Sequence, residues 1–299
     1  MIILSGGTGT PKLLRGLRHV VPEEDINVIA NTAEDIWVSG HLVCPDIDSV
    51  IYALSGVIDD EKWWGIKGDT FITSTYLRRS GFAEKMQIGD RDRATHIMRS
   101  ELLGSGKTLT QATLELTKKF GVRAKVLPMT DDAVSTIITT PQGKMHFQDF
   151  WILNKGKPGV LDVKFEGIEK ARISKELLNV LKTEKTVIIG PSNPITSIEP
   201  ILHLIRKYLD KKFVIAVSPI VGRRPVSGPA AKFMKARGYE VSSRGVYDCY
   251  KDFLDLFIVD RKDGFSGATV IKADTMMVDE RRSGALARFI VDILKSHVA

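Results

Sequence analysis

The chain has little of what disulfide or thiolate chemistry requires. Its two cysteines, Cys44 and Cys249, are far apart and stand in no ligand spacing, which excludes a disulfide framework and a thiolate zinc site. The six histidines form neither an H-x-x-x-H nor an H-E-x-x-H pattern, so zinc catalysis has no basis here. No apolar run approaches the roughly 20 residues of a membrane helix, and the first residues pass straight into glycine without a basic segment or cleavage site. A cytoplasmic protein with no membrane partner is expected. Low-complexity tracts and internal repeats are missing, as are a nucleophile elbow and a Cys–His pair. The net charge is +7, but the basic residues are gathered into neither a tail nor an aromatic–basic motif. That argues against nucleic acid and for a small anionic ligand.

What is present is globular: 299 residues, 43% hydrophobic and 26% charged, enough for one large domain with an insertion or for two domains. Apolar runs at Ile2–Ser5, Asn27–Ala30, Thr186–Ile189, Phe213–Val217 and Leu256–Val259 end abruptly in turn residues. Runs without polar alternation read as strands buried on both faces of a parallel sheet. Helical patterns follow at Leu13–Val20, Ile198–Leu209 and Ala230–Ala236, which predicts an α/β, Rossmann-like, doubly wound, mostly parallel sheet. The middle reads as an α-helical insertion, with helices at Thr70–Arg79, Arg91–Leu103 and Leu109–Phe120 and a small antiparallel hairpin, Val134–Thr140 with Lys144–Phe147. The expected division is therefore a nucleotide-binding core at 1–60 and 160–299 and a cap at 61–159. Arg281–His297 reads as a closing amphipathic helix.

Ligands of such sheets bind beyond the carboxyl ends of the strands, so the segments after each run carry the chemistry. After the first comes Ser5-Gly6-Gly7-Thr8-Gly9-Thr10-Pro11-Lys12. Its glycines allow close backbone approach and positive φ, Pro11 suits a first helical turn, and helix-start amides face an anion. Lys12 stands where a dinucleotide fingerprint has its third glycine, which argues against NAD. Gly104-Ser105-Gly106-Lys107-Thr108 ends like a P-loop, but Glu101 replaces the leading glycine and a helix precedes it, so a helix end and a helix start are expected there.

The second strand ends in Asn31-Thr32-Ala33-Glu34-Asp35, close to Cys44-Pro45-Asp46-Ile47-Asp48-Ser49. The carboxylates suit a divalent cation; equally, Asp46 and Asp48 suit caps of a helix Ser49–Leu54. Further acids stand in Gly89-Asp90-Arg91-Asp92 and in Met129-Thr130-Asp131-Asp132. Gly190-Pro191-Ser192-Asn193-Pro194 and Ser218-Pro219-Ile220-Val221-Gly222 follow neighbouring buried runs and read as base and ribose loops. Trp63-Trp64 suits either a stacking platform or a buried pair.

These motifs, in this order over residues 1 to about 260, resemble the 2-phospho-L-lactate transferase family, whose members make the deazaflavin coenzyme F-420. Two of the loops are shared with bacterial gluconeogenesis factors, which bind nucleotide sugars and provide the alternative reading. The resemblance implies transfer of a 2-phospho-L-lactyl or phosphoenolpyruvyl group from a guanosine diphosphate conjugate to the deazaflavin Fo, with release of GMP, by a Mg²⁺-dependent enzyme that forms a homodimer. It implies that Gly6, Gly7, Thr8, Gly9, Thr10, Lys12, Gly190, Pro191, Ser192, Asn193, Ser218 and Gly222 hold the nucleotide. Asp48, Arg91, Asp90, Met129 and Asp131 would contact Fo, Asp35, Asp46 and Asp48 would hold metal, and Asp46, Asp48 and Arg91 would carry the chemistry, with Asp46 or Asp48 as base.

Overall fold

In the computed structural model, which describes residues 1–82 and 84–298, seven strands form one parallel sheet. They are β1 (Ile2–Ser5), β2 (Asn27–Ala30), β3 (Lys125–Pro128), β4 (Thr186–Ile189), β5 (Phe213–Val217), β6 (Leu256–Asp260) and β7 (Val270–Ala273), in the order β7-β6-β5-β4-β1-β2-β3. Every residue of β1, β2 and β4 is buried, because apolar layers cover both faces of the sheet. One layer centres on Leu4, Ile189 and Phe233 and the other on Ile3, Leu14 and Ile290. The Gly9–Leu17 helix lies against the long Glu280–Val298 helix so closely that a Cβ at Gly16 would stand 2.3 Å from the backbone of Ser283.

The doubly wound expectation is met. From β1 the chain builds outward through β2 and β3, then returns to the other side of β1 and builds β4 to β7. The loops leaving β1 and β4 therefore part in opposite directions at the switch point, where doubly wound sheets leave a crevice. Among the described residues no helix is long and apolar enough to cross a membrane.

Several boundaries differ from the sequence reading. Lys125–Pro128 falls inside the stretch read as cap, yet pairs with β2 as the edge strand of the main sheet. The Leu109–Lys119 helix before it buries Leu109 and Leu116 in the core. The cap is thus interrupted by a βα crossover. The hairpin, at Ser135–Thr140 and Gly143–His146, is joined by a third antiparallel strand, Asp162–Glu166, which lies beyond residue 159. Ile198–Leu209 splits into a wide helical turn at Pro194–Ile198, a helix Glu199–Ile205 and a tight final turn. The apparent P-loop is the end of the Asp90–Gly104 helix followed by Thr108, which caps the next helix reciprocally with Gln111.

Candidate functional site

The two switch-point loops wall one end of a cavity of about 590 Å³, lined there by Gly7, Thr8, Gly9, Pro191, Ser192 and Asn193. The Gly9–Leu17 helix starts at this wall, so its free amides and positive dipole end suit an anion. The expected positive φ is not found at Gly6, Gly7 or Gly9; glycine is required here by contact. A Cβ on Gly9 would stand 1.8 Å from the Pro191 carbonyl oxygen, one on Gly190 would stand 2.1 Å from Thr10 Oγ1, and one on Gly6 would stand 2.6 Å from Ser197 Oγ. The loops are then stitched by Ser192, whose Oγ accepts from the Gly6 amide at 3.0 Å and meets Thr10 Oγ1 at 2.7 Å. Asn193 caps the following turn through its side-chain oxygen. Because neither backbone can give way, Gly9→Ala is expected to cost roughly 1–3 kcal/mol of overpacking and to lower Tm by several degrees. Thermal unfolding measures this, and an unchanged Tm would mean that the two loops can part.

A buried acidic group lies beside this wall. The Pro45–Ser55 helix starts four residues before the expected Ser49, which places Asp46 and Asp48 inside its first turn and not at its cap. Asp46 lines the cavity against Gly7 and accepts from Asn31 Nδ2 at 3.0 Å. Burial pushes its carboxyl up to about 7 against the pull of Asn31 and the Gly7 amide. Burial also raises Glu34, with Asp46 next to it, and raises Asp35 despite Cys44 and Arg99. Glu34 Oε1 and Asp35 Oδ1 are buried without a hydrogen-bond partner.

Asp48 is different. Its two oxygens accept from both terminal nitrogens of the fully buried Arg99, and His96 Nε2 lies 3.2 Å from Oδ2. Burial alone would raise Asp48, but Arg99 and His96 overcome it and hold the carboxyl below its ordinary value. His96 is shared with Asp92 at 3.3 Å, and Asp92 also accepts from the Tyr52 hydroxyl at 2.8 Å. Although burial opposes its charge, these two carboxylates raise His96 to about 9. Asp48, Asp92 and His96 have ligand atoms within 4.8 Å of one another, but those atoms already serve each other, Arg99 and Tyr52.

The family model described as 2-phospho-L-lactate transferase CofD matches residues 1–288. The chain belongs to this family. It is 53% identical to the 2-phospho-L-lactate transferase of Methanococcoides burtonii, over 98% of this chain and 99% of that one. With the enzyme of the same name from Methanosarcina barkeri the identity is 52%, over 100% and 99%, and with that from Methanopyrus kandleri 45%, over 100% and 98%. A solved structure of a UPF0052 family member from Bacillus halodurans shares the fold, with a TM-score of 0.65 over 97% of each chain at 15% identity.

The site residues implied by the resemblance to the CofD family divide sharply in space. Gly7, Thr8, Gly9, Pro191, Ser192, Asn193, Asp46 and Asp48 all line the cavity. Gly6, Thr10 and Gly190 support that wall from behind. Lys12 is not among the lining residues; its ammonium lies 4.9 Å from the centre of the Trp63 ring, with Arg15 at 4.7 Å. Ser218 Oγ binds Ser243 and Ile220, and Gly222, at φ +61°, donates its amide to Asp263. Asp90 accepts from the Ile72 and Thr73 amides at 2.9 Å and caps their helix. Arg91 is exposed, and its amide meets Asp69. Met129 is core, and Asp131 accepts from the Thr110 amide at 2.6 Å. The Gly89–Asp92 segment instead contributes Asp92, with His96 one turn on. Arg99 was not singled out, although its i+7 spacing from Asp92, with His96 at i+4, marks one face of a helix. Gln148 and Trp151, which also line the cavity, left no motif.

Proposed function

We propose that this chain is a 2-phospho-L-lactate transferase that moves its group from a guanosine diphosphate conjugate to the terminal ribityl hydroxyl of Fo. One observation carries the reading. A helix start suited to phosphate, the carboxyl of Asp46, which burial raises to about 7, and the indoles of Trp64 and Trp151 open on one cavity. The names of the relatives supply the transferred group, while the donor and acceptor follow from the family resemblance.

In this reading the hydroxyl oxygen of Fo attacks the phosphorus that bears the lactyl group. The new P–O bond forms as the bond to GMP breaks, GMP leaves with the electron pair, and the hydroxyl proton passes to Asp46. Asp46 suits this role better than Asp48, because a general base works best with a pKa near the working pH and Asp48 has both oxygens committed to Arg99. The amides of Thr8 and Gly9 at the helix start offset charge on the diphosphate. Magnesium fits Glu34, which lines the cavity beside Asp46 with a buried oxygen that has no partner, whereas Asp35 does not line the cavity; one or two carboxylates are the usual protein share of a Mg²⁺ site that also binds phosphate. Bound there, it would neutralise diphosphate charge.

The direct test incubates the protein with Mg²⁺, Fo and lactyl-2-diphospho-5′-guanosine and follows GMP and the phosphodiester product. Failure to release GMP, together with thermal stabilisation by UDP-sugars and not by GDP, would overturn the assignment.

The acids also make a pH prediction. Their folded pKa values lie above the unfolded ones, so the metal-free fold binds more protons than the unfolded chain. That contribution is present below the unfolded pKa and is lost as pH rises through the folded one, about 7 for Asp46. Without metal, Tm is expected to fall between about pH 5 and pH 8, and Mg²⁺ to restore it at about pH 8 while doing little at about pH 5. A Mg²⁺ effect equal at both pH values would argue against Glu34 as its ligand.

A further inference from the structure

One wall of the cavity does not come from the parallel sheet. Phe147, Gln148, Trp151 and Ile152 line it, from the stretch that leaves the Gly143–His146 strand through the wide helical turn Asp149–Leu153. Trp151 and Ile152 are 39% and 36% exposed, so burial alone does not fix them. Ser227 to Ala230, where the Ala230–Ala236 helix begins, also line the cavity. Lys232, on that helix, joins the two. Its Nζ donates to the carbonyls of Gly156, Lys157 and Pro158 at 2.5, 2.8 and 3.0 Å and lies 6.0 Å from the Phe150 ring centre.

An ammonium has three donors, and here all three are used on one turn. Lys155 and Gly156 take positive φ, +52° and +61°, which directs successive carbonyls to one side and leaves them without a ladder partner. Gly156 is also the residue on which the Trp151 ring rests, since a Cβ there would stand 2.9 Å from Trp151 Cζ3. Lys232 thus grips the backbone that supports the indole. The same stretch is tied at its start by Gln148 Nε2, which donates to the Glu34 carbonyl at 3.0 Å, and by Lys85 with Asp149 at 3.0 Å. Those ties fix where the turn begins, and Lys232 fixes where it ends.

We propose that Lys232 is a positioning residue, which through Gly156 holds Trp151 as the stacking platform for a flat acceptor ring. The aromatic acceptor is taken from the function proposed above; the tether is independent of it. An indole offers a flat ring substantial contact area at little entropic cost, provided its backbone is fixed beforehand.

Lys232→Met keeps the length of the side chain and removes its donors. It is expected to raise the rate of tryptic cleavage after the exposed Lys155, and to weaken Fo affinity, read from the ligand's own fluorescence, about tenfold, while GDP affinity stays within about twofold. Lys232→Arg should recover most of the Fo affinity. Gly156→Ala leaves Lys232 in place but drives a methyl group into the indole, and it should weaken Fo by a similar factor. A lower Tm with unchanged Fo affinity in both variants would make Lys232 merely structural and overturn the proposal, as would an equal loss of GDP affinity. If the wild-type chain binds no Fo, the proposed acceptor falls on its own evidence, and the tryptic cleavage decides the tether: unchanged cleavage in Lys232→Met would overturn it.

Discussion

Replacing Asp46 by asparagine is expected to lower kcat about a thousandfold, within the range of roughly 10²–10⁴ that a positioned proton acceptor contributes. The substitution preserves shape and still offers one oxygen to Asn31 Nδ2, which now meets Oδ2. What it removes is the site for the proton. Wild-type kcat/KM should rise with pH as Asp46 loses its proton, at a pH below the value of about 7 that burial gives it without metal, because a cation at Glu34 favours its charged form, and Asp46→Asn should lose that limb. Affinity for GDP should fall far less than kcat, because the amides of Thr8 and Gly9 and the helix dipole remain, and only the Gly7 amide loses the oxygen it meets on Asp46. The Tm response to Mg²⁺ at high pH should persist, since the unpartnered oxygen in the cavity lining belongs to Glu34. If the variant instead loses its response to Mg²⁺, Asp46 is a metal ligand and the proton goes elsewhere. Full turnover would remove Asp46 from the chemistry.

Much of the wall at the switch point was legible in the sequence because close packing leaves a compositional mark. Where two backbones touch, as at Gly9 and Pro191, only glycine fits, and the apolar runs before the loops announce buried strands. The outer strands were harder to read: Lys125 and Lys272 are exposed on β3 and β7, so these edges lack an unbroken apolar run. The rest of the cavity lining was less legible for a different reason. A motif marks a segment without saying which of its side chains points inward. In Gly89-Asp90-Arg91-Asp92 the first acid caps a neighbouring helix and the arginine faces solvent, while Asp92 reaches the cavity. Three polar residues at helical spacing, Asp92, His96 and Arg99, look like a solvated face until tertiary packing buries them. Trp151 depends on a turn and on a lysine about 80 positions away in the sequence, a relation that no local pattern records.

The largest stability effect is expected at Arg99. Its guanidinium is fully buried, donates to both oxygens of Asp48 and reaches the Leu42 carbonyl at 3.2 Å. It therefore joins the Asp90–Gly104 helix to the Pro45–Ser55 helix that carries Asp46. Arg99→Met fills most of the volume but leaves Asp48 buried with His96 as its remaining charged partner. Breaking such a pair costs about 3–5 kcal/mol, or on the order of 10 °C in Tm for a chain of this size. The loss should depend on pH in a definite sense. Asp48 is held below its ordinary pKa in the folded protein, so its contribution is present above the unfolded value of about 4 and is lost as pH falls through the folded one. Wild type and Arg99→Met should thus differ most near neutral pH and converge in acid. Asp48→Asn combined with Arg99→Met removes the stranded charge, and the double variant should be more stable than Arg99→Met alone, with a coupling beyond about 1 kcal/mol. Additive losses would mean that the two side chains stabilise the fold separately, and the pair would no longer account for how Asp46 is brought beside the Gly7–Gly9 loop.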